Sequence, residues 1–349
     1  MLQSNDQEIM LELIQSPAFF VVDNTIVQSN KSALAAGFEP GINIQDTFVC
    51  GPQELSQGVL CASIQLHGNL WNAVVYPLED MHVFRLDQNV VSHELRALSL
   101  MGTELRYPIG NLSMMIGQLF DCASNEPLTS QVNKELHKVL RVLNNVSNAL
   151  RFSEERTGYQ EEYNICSVLS ELLEECGTIL EKAGIRLHSV LPKTDIYTML
   201  DWQMFRQAVY NLLNNAAKHS APGSTVEVSL TRRENKLQLC VTDNGPGIPL
   251  DTLGNLFSHY TRDISIAEGK SGLGLGMAIV RIAANAHGGT VLVDTPPTGG
   301  TRVTMTMSIR HSTHLKLHST IDHIITAPDD GLIMFSNILP SDAYAPSDK

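Results

Sequence analysis

The chain has 349 residues, a hydrophobic fraction of 43%, a charged fraction of 17% and a formal net charge of -13. That length accommodates two or three domains, each burying its own core, and the composition is that of an ordinary globular protein. The negative balance argues against direct nucleic-acid binding, which takes clustered Lys and Arg, and no apolar run reaches the roughly 20 residues of a membrane span.

The N-terminus MLQSNDQEIM lacks the basic, then apolar, then small-residue order of a signal peptide, so a cytoplasmic location is expected. Cys50, Cys61, Cys122, Cys166, Cys176 and Cys240 are scattered without metal-ligand spacing and are expected to be buried, reduced thiols. From Pro17 to Phe84 the pattern is strand-like. AFFVVDNTIVQSN reads as two strands around an Asp-Asn turn, and VLCASIQLHGNLWNAVVYPL as a hairpin turning at His67-Gly68-Asn69. The stretch resembles a PAS sensory domain in its pattern of a small antiparallel sheet with short helices between its halves; an unspecialised α+β spacer is the competing reading.

From Val91 the period changes. Val91, Leu95, Leu98, Gly102, Leu105, Ile109, Leu112, Ile116 and Leu119 follow alternating steps of four and three, which predicts a heptad seam. A second series, Val132, Leu136, Val139, Leu143, Val146 and Leu150, repeats the alternation after the polar turn CASNEPLTS. Two seamed helices make a hairpin whose seam is fully covered only by another copy, so a homodimeric four-helix bundle is expected. After Arg151 the helical stretch ICSVLSELLEECGTILEKAG leads into alternating strands and helices as far as Ile309, expected to form an α/β sandwich with helices on one face of a mixed sheet. The remainder, from His311, shows no clear core pattern except GLIMFSNIL, read as a docking helix or strand.

Four segments carry chemistry. NLLNNAAKHS puts Asn211, Asn215 and Lys218 or His219 on one helix face, where amide oxygens suit a hydrated magnesium ion and cationic groups suit phosphate; a merely solvated face is the alternative. DNGPGIP follows the apolar strand LQLCVT, so Asp243 ends a strand and Gly245 and Gly247 leave the backbone bare enough for a flat base to approach. In LFSHYTR, Phe257 and Tyr260 could anchor a loop and Arg262 could reach phosphates, with core packing as the competing explanation. In KSGLGLGMAIVRIAANAHGG, Gly272, Gly274 and Gly276 open a helix whose N-terminal N–H groups favour phosphate.

Each segment alone is weak, but their order and spacing resemble the N, G1, F and G2 boxes of histidine kinases, within the superfamily that includes gyrase, Hsp90 and MutL. The resemblance implies a Bergerat-fold ATP site: Asp243 at adenine, Asn215 with Asn211 at magnesium, Lys218 and His219 near phosphate, and the segment from Leu250 to Ser271 as an ATP lid. In the hydrolysing members an acid on the N-box helix activates water; from Trp202 through Ser220 there is no Asp or Glu, so transfer of the γ-phosphate to a side chain fits better than hydrolysis.

The acceptor is less straightforward. The family's motif runs His-Glu-Leu-Arg, any residue, Pro, then an aliphatic residue. SHELRALSL supplies His93 and Glu94 but has Leu98 in the proline's place, whereas TELRYPIGNL supplies Glu104, Pro108 and Ile109 with Thr103 in the histidine's place. On a helix the two sites lie about 15 Å apart and are turned by roughly 80°. Three readings remain: a kinase accepting on His93 with Glu94 as the neighbouring base; a degenerate kinase that binds ATP and signals through partner contacts; and transfer to Thr103 with Glu104 as base. Ala97 and Tyr107 stand where the family carries the Thr or Asn of phosphatase activity, so none is expected. His311, His314, His318 and His323 read as a solvated linker.

The expected architecture is multidomain α+β: a PAS-like domain over 1–85, a dimerising and phosphoacceptor hairpin over 86–155, an ATP-binding catalytic domain over 156–310 and a tail over 311–349. The expected function is that of a cytoplasmic sensor histidine kinase using ATP and magnesium, with a response regulator on a separate protein.

Overall fold

The computed structural model describes residues 11–48, 58–78, 80–88, 109–110, 112–114, 116–117, 126–154, 161–247, 275–296, 298–311 and 330–345. Alternation of apolar and polar residues produces two hairpins near the N-terminus. β1 (Ala18–Val22) and β2 (Thr25–Ser29) turn at Asp23 and Asn24, with φ of 47° and 63°, and β3 (Val59–Leu66) and β4 (Asn69–Leu78) turn at His67 and Gly68, with φ of 50° and 81°. Positive φ at both central residues is what a two-residue turn needs to match the strands' twist, and Asn, Asp and Gly tolerate it best. β5 (Met81–Gln88) completes a sheet in the order β2-β1-β5-β4-β3, with α1 (Lys31–Ala35) and a short 3-10 helix (Ile44–Thr47) between β2 and β3. Phe19 stacks between Phe38 and Phe84 at 5.2 and 5.1 Å, and these buried rings fill the core of this half.

α2 (Glu126–Glu154) carries the second heptad series. The expected polar turn is shorter than the sequence pattern indicated: Glu126 to Ser130 already belong to the helix, with Pro127 in its first turn, where a missing N–H costs no hydrogen bond. Residues 109–110, 112–114 and 116–117 are also helical, and Ile116 lines an open groove with Val132 and Leu136. Of the seam residues, Val146 is buried, whereas Leu112 and Val139 are 50% and 43% exposed.

The second sheet is built by β7 (Arg186–Val190), β9 (Thr225–Arg233), β10 (Lys236–Asp243), β11 (Val291–Asp294) and β12 (Thr301–Ser308); β6 (Glu161–Asn164) and β8 (Tyr197–Leu200) form a separate pair. It is mixed, as expected: β7 runs parallel to β9 and the other pairings are antiparallel. Strict burial alternation along β10 shows a single face packed on helices, namely α3 (Ile165–Glu181), α4 (Trp202–His219) and α5 (Leu275–Ala286). Asp201 caps α4 through a bond from the Met204 N–H at 3.0 Å. His287 joins that cap to the end of α5: Nε2 accepts the Asp201 N–H at 3.0 Å, so the proton resides on Nδ1 and is donated to the Ala283 carbonyl at 2.7 Å. Burial pushes the pKa of His287 down, which agrees with a neutral ring.

Two features were not legible beforehand. The N-terminal sheet and the second sheet are continuous, because β3 pairs with β11 through Cys61↔Val291, Leu60↔Leu292 and Val59↔Val293, giving a 10-stranded sheet. The segment GLIMFSNIL, read as a docking helix or strand, does dock, and what was not foreseen is its seat: α6 (Asp330–Met334) and a 3-10 turn (Ser341–Tyr344) bury Met334, Phe335, Leu339 and Tyr344 in the same core as the second sheet. Cys61, Cys166 and Cys176 are buried and Cys240 is half-buried, while Cys50 and Cys122 lie outside the described residues. No helix among the described residues is long and apolar enough to cross a membrane.

Candidate functional site

β10 ends at Asp243, and the chain then turns sharply because the helix behind it leaves no room for a side chain. A Cβ on Gly245 would stand 2.5 Å from the His219 carbonyl oxygen, at the C-terminal end of α4. The Gly245 N–H instead donates to Asp243 Oδ1 at 2.8 Å, and the Thr301 N–H donates to the same oxygen at 3.2 Å. Two backbone donors thus fix the carboxylate, which is only 6% exposed. Burial raises its pKa, and the two N–H bonds and nearby His219 oppose that shift. Gly247 adopts φ of +77°, and a Cβ there would lie 3.3 Å from the Gly300 carbonyl, so the two glycine turns close against each other.

α4 supplies the second wall. Asn211, Asn215 and Lys218 follow one face of this helix at steps of four and three. Asn211 is 2% exposed, which rules out a simply solvated polar face. Its Nδ2 donates to the Gln207 carbonyl at 2.8 Å, leaving Oδ1 turned towards the start of α5, where a Cβ on Gly276 would approach it to 2.8 Å. Asn215 and Lys218 are half-buried and His219 is exposed. The strand-end turn thus lies against the C-terminal end of α4, and Asn211 on the same helix faces the N-terminal turn of α5.

Several expected residues fall elsewhere. Phe257, Tyr260, Arg262, Gly272 and Gly274, and the acceptor candidates His93, Glu94, Thr103 and Glu104, lie outside the described residues. Of the histidine run, His311 contacts Glu162 Oε1 at 3.0 Å, and His314, His318 and His323 are outside the described residues. Among the described residues no group of three His, Cys, Asp or Glu side chains is placed to hold a metal ion.

The structure adds Gly300 and Thr301, which the sequence reading passed over. Gly300 has φ of +82°, and a Cβ on it would fall 1.9 Å from the Asp243 carbonyl oxygen. The Gly299-Gly300-Thr301 run was the available signal: paired glycines before a strand mark a close backbone approach. Nothing in the sequence indicates that the backbone approached is that of Asp243.

Comparison with known proteins agrees with this geometry. The family model described as histidine kinase-, DNA gyrase B-, and HSP90-like ATPase matches residues 201–311. The sensor protein KdpD of Clostridium acetobutylicum is 27% identical over 214 residues, covering 60% of this chain and 23% of its own length. The adaptive-response sensory kinase SasA of Microcystis aeruginosa is 26% identical over 246 residues, covering 65% of this chain and 64% of its own. The chain therefore spans less than two thirds of the length of these relatives. The crystal structure of full-length ShkA in complex with AMPPNP superposes with a TM-score of 0.52 at 20% identity, over 62% of this chain and 46% of that one, a likeness of fold. Residues 201–311 therefore form a histidine kinase-, DNA gyrase B-, and HSP90-like ATPase domain, in a chain whose similar relatives are sensor kinases.

Proposed function

We propose that this protein binds ATP with magnesium in the pocket between Asp243, α4 and the start of α5, and transfers the γ-phosphate to a histidine of its own helical hairpin and then to a response regulator on a separate protein. The observation that carries the reading is the fixed, buried Asp243 carboxylate, held by two backbone N–H groups where the chain turns against the C-terminal end of α4. A carboxylate held by two backbone N–H groups accepts an exocyclic amine in one orientation, and Gly245 and Gly247 let a flat ring lie against the chain.

The residues present fit the cofactor that this reading needs. Asn215, with Asn211, offers neutral oxygen ligands, and magnesium characteristically takes a few protein oxygens, with phosphates and waters completing its octahedron. When bound, the ion would neutralise phosphate charge; Lys218 and His219 would orient the phosphates, and the N-terminal turn of α5 at Gly276 would offer backbone donors. The absence of Asp or Glu from Trp202 through Ser220 favours transfer over hydrolysis, and Asp201 is already engaged as a helix cap.

The remaining assignments are parts of the same proposal. The partly exposed seam of α2, with Val139 43% exposed, supports a homodimer, the N-terminal sheet with α1 serves as a PAS-like input module, the acidic net charge supports a partner other than nucleic acid, and the location is cytoplasmic. One observation favours a second reading: Thr103 takes the histidine's place in the copy that otherwise keeps the acceptor motif, which would make the chain an ATP-binding signalling protein without the usual acceptor. Incubation with γ-labelled magnesium ATP, acid and alkali challenge of the label, and peptide mapping separate the two. Acid-labile, alkali-stable label on the His93 peptide, lost in His93→Ala, establishes the kinase. No label despite measured ATP binding establishes the second reading, and rapid release of free phosphate would refute both.

A further inference from the structure

Beyond the matched ATPase segment the chain returns to the core at residues 330–345, and this short piece touches three helices. On its inner side Asp330 pairs with Arg206 of α4 at 2.8 Å, Gly331 sits against Ile179 of α3, and Phe335, fully buried, meets Tyr210 edge-on with centroids 5.9 Å apart. On its outer side Tyr344 turns to α2. Its ring lies 4.8 Å from the His137 ring and its carbonyl accepts from Asn133 Nδ2 at 3.3 Å, while its hydroxyl donates back to the Leu332 carbonyl at 2.8 Å.

α2 therefore presents two different stripes. Val132, Leu136, Val139 and Leu143 form the apolar seam; Asn133, His137 and Arg141, one step round the helix, form a polar stripe that receives the tail. The two ends of the tail are held differently. Met334, Phe335 and Leu339 are at most 1% exposed and anchor the inner half by apolar burial, whereas Tyr344, though buried too, meets α2 through a ring contact and a hydrogen bond. At the outer joint Arg141 Nε of α2 is buried without a hydrogen-bond partner among the described residues. Such a group regains hydration when the joint opens, which lowers the cost of separating the Tyr344 end.

We propose that residues 330–345 are an intramolecular strap that holds α2 against the ATPase domain, and that release of its Tyr344 end from Asn133, His137 and Arg141 lets hairpin and domain move apart. α2 also packs along α5, the helix that begins at the phosphate side of the site, so the strap governs how freely that side shifts relative to the hairpin. Its effect on phosphoryl transfer rests on the kinase reading above: the hairpin must meet the ATP site and then leave it for a separate regulator, and a closed strap slows that exchange.

The test uses the full chain, Tyr344→Ala, and a chain ending at Pro340 that keeps the Phe335 anchor. Amide hydrogen exchange is followed on peptides of α2 and β10, together with binding of a fluorescent ATP analogue and the rate of labelling by magnesium ATP. Exchange over residues 130–144 is expected to rise at least tenfold in both variants, with β10 protection and nucleotide affinity unchanged and labelling at least threefold faster. Unchanged exchange in α2 would overturn the strap, as would loss of protection in β10, which would make the tail a part of the core rather than a brace. Faster exchange with unaltered labelling would overturn its control of transfer. Absence of label from every variant with nucleotide bound would refute the kinase reading alone, since exchange decides the strap independently.

Discussion

Replacing Asp243 by Asn separates what the carboxylate does for the fold from what it does for a ligand. Oδ1 already accepts two backbone N–H groups, at 2.8 and 3.2 Å, and an Asn side-chain oxygen can keep both. Keeping them turns the new NH2 group to the position of the other oxygen, so a donor faces the exocyclic amine of the proposed adenine. The loss of one hydrogen bond to a charged acceptor corresponds to about 1.5–3 kcal/mol, or roughly 10- to 150-fold in affinity. Stability moves the other way. The folded-state pKa of Asp243 is raised by burial, so the ionised form is disfavoured in the native state, and the native protein loses stability as pH rises through the interval between the unfolded and folded values. At pH 7 that cost is fully present, and Asn removes it. Titration calorimetry with a non-hydrolysable ATP analogue and thermal melting at pH 7 should show weaker binding in D243N with a Tm no lower than that of the parent. Binding within threefold of the parent would refute the adenine role; a Tm lower by more than about 5 °C would make the carboxylate a structural group.

Other expectations follow from particular contacts. Gly300→Ala places a Cβ against the Asp243 carbonyl at positive φ, and should cost at least about 1–3 kcal/mol in denaturant unfolding while also weakening nucleotide binding. Gly58→Val drives a side chain into the Val293 carbonyl, which a Gly58 Cβ would approach to 2.6 Å. It should loosen the β3–β11 joint by about 1–3 kcal/mol, read as faster amide exchange in residues 291–294 with β10 unaffected. His287, neutral and buried with a lowered pKa, contributes no pH dependence above the unfolded value near 6.5; below it the unfolded chain takes up a proton that the folded chain resists, so stability falls. The Tm of His287→Asn, whatever its value at pH 7, should therefore fall less between pH 7 and pH 5 than that of the parent; an equal fall would show that another group governs the acid limb.

Local order was readable from the sequence wherever one residue's chemistry decides its own conformation. Asp23-Asn24 and His67-Gly68 marked their turns because their side chains tolerate positive φ, and alternation along LQLCVTD marked β10 because period two is the only way to bury one face of a strand. The residues of the candidate site stood out for a related reason: Asn211, Asp243, Gly245 and Gly276 are residue types tied to backbone approach or oxygen ligation. Tertiary structure alone decided what meets what. That Gly300 and Thr301 close over Asp243, that β3 continues the sheet through β11, and that Phe335 and Tyr344 return to α4 and α2 depend on contacts between segments far apart in the chain. A local pattern records how strongly a residue favours burial or a turn, but the partner that satisfies it is selected by the packing of the whole chain, where several apolar edges and helix faces compete for the same cover.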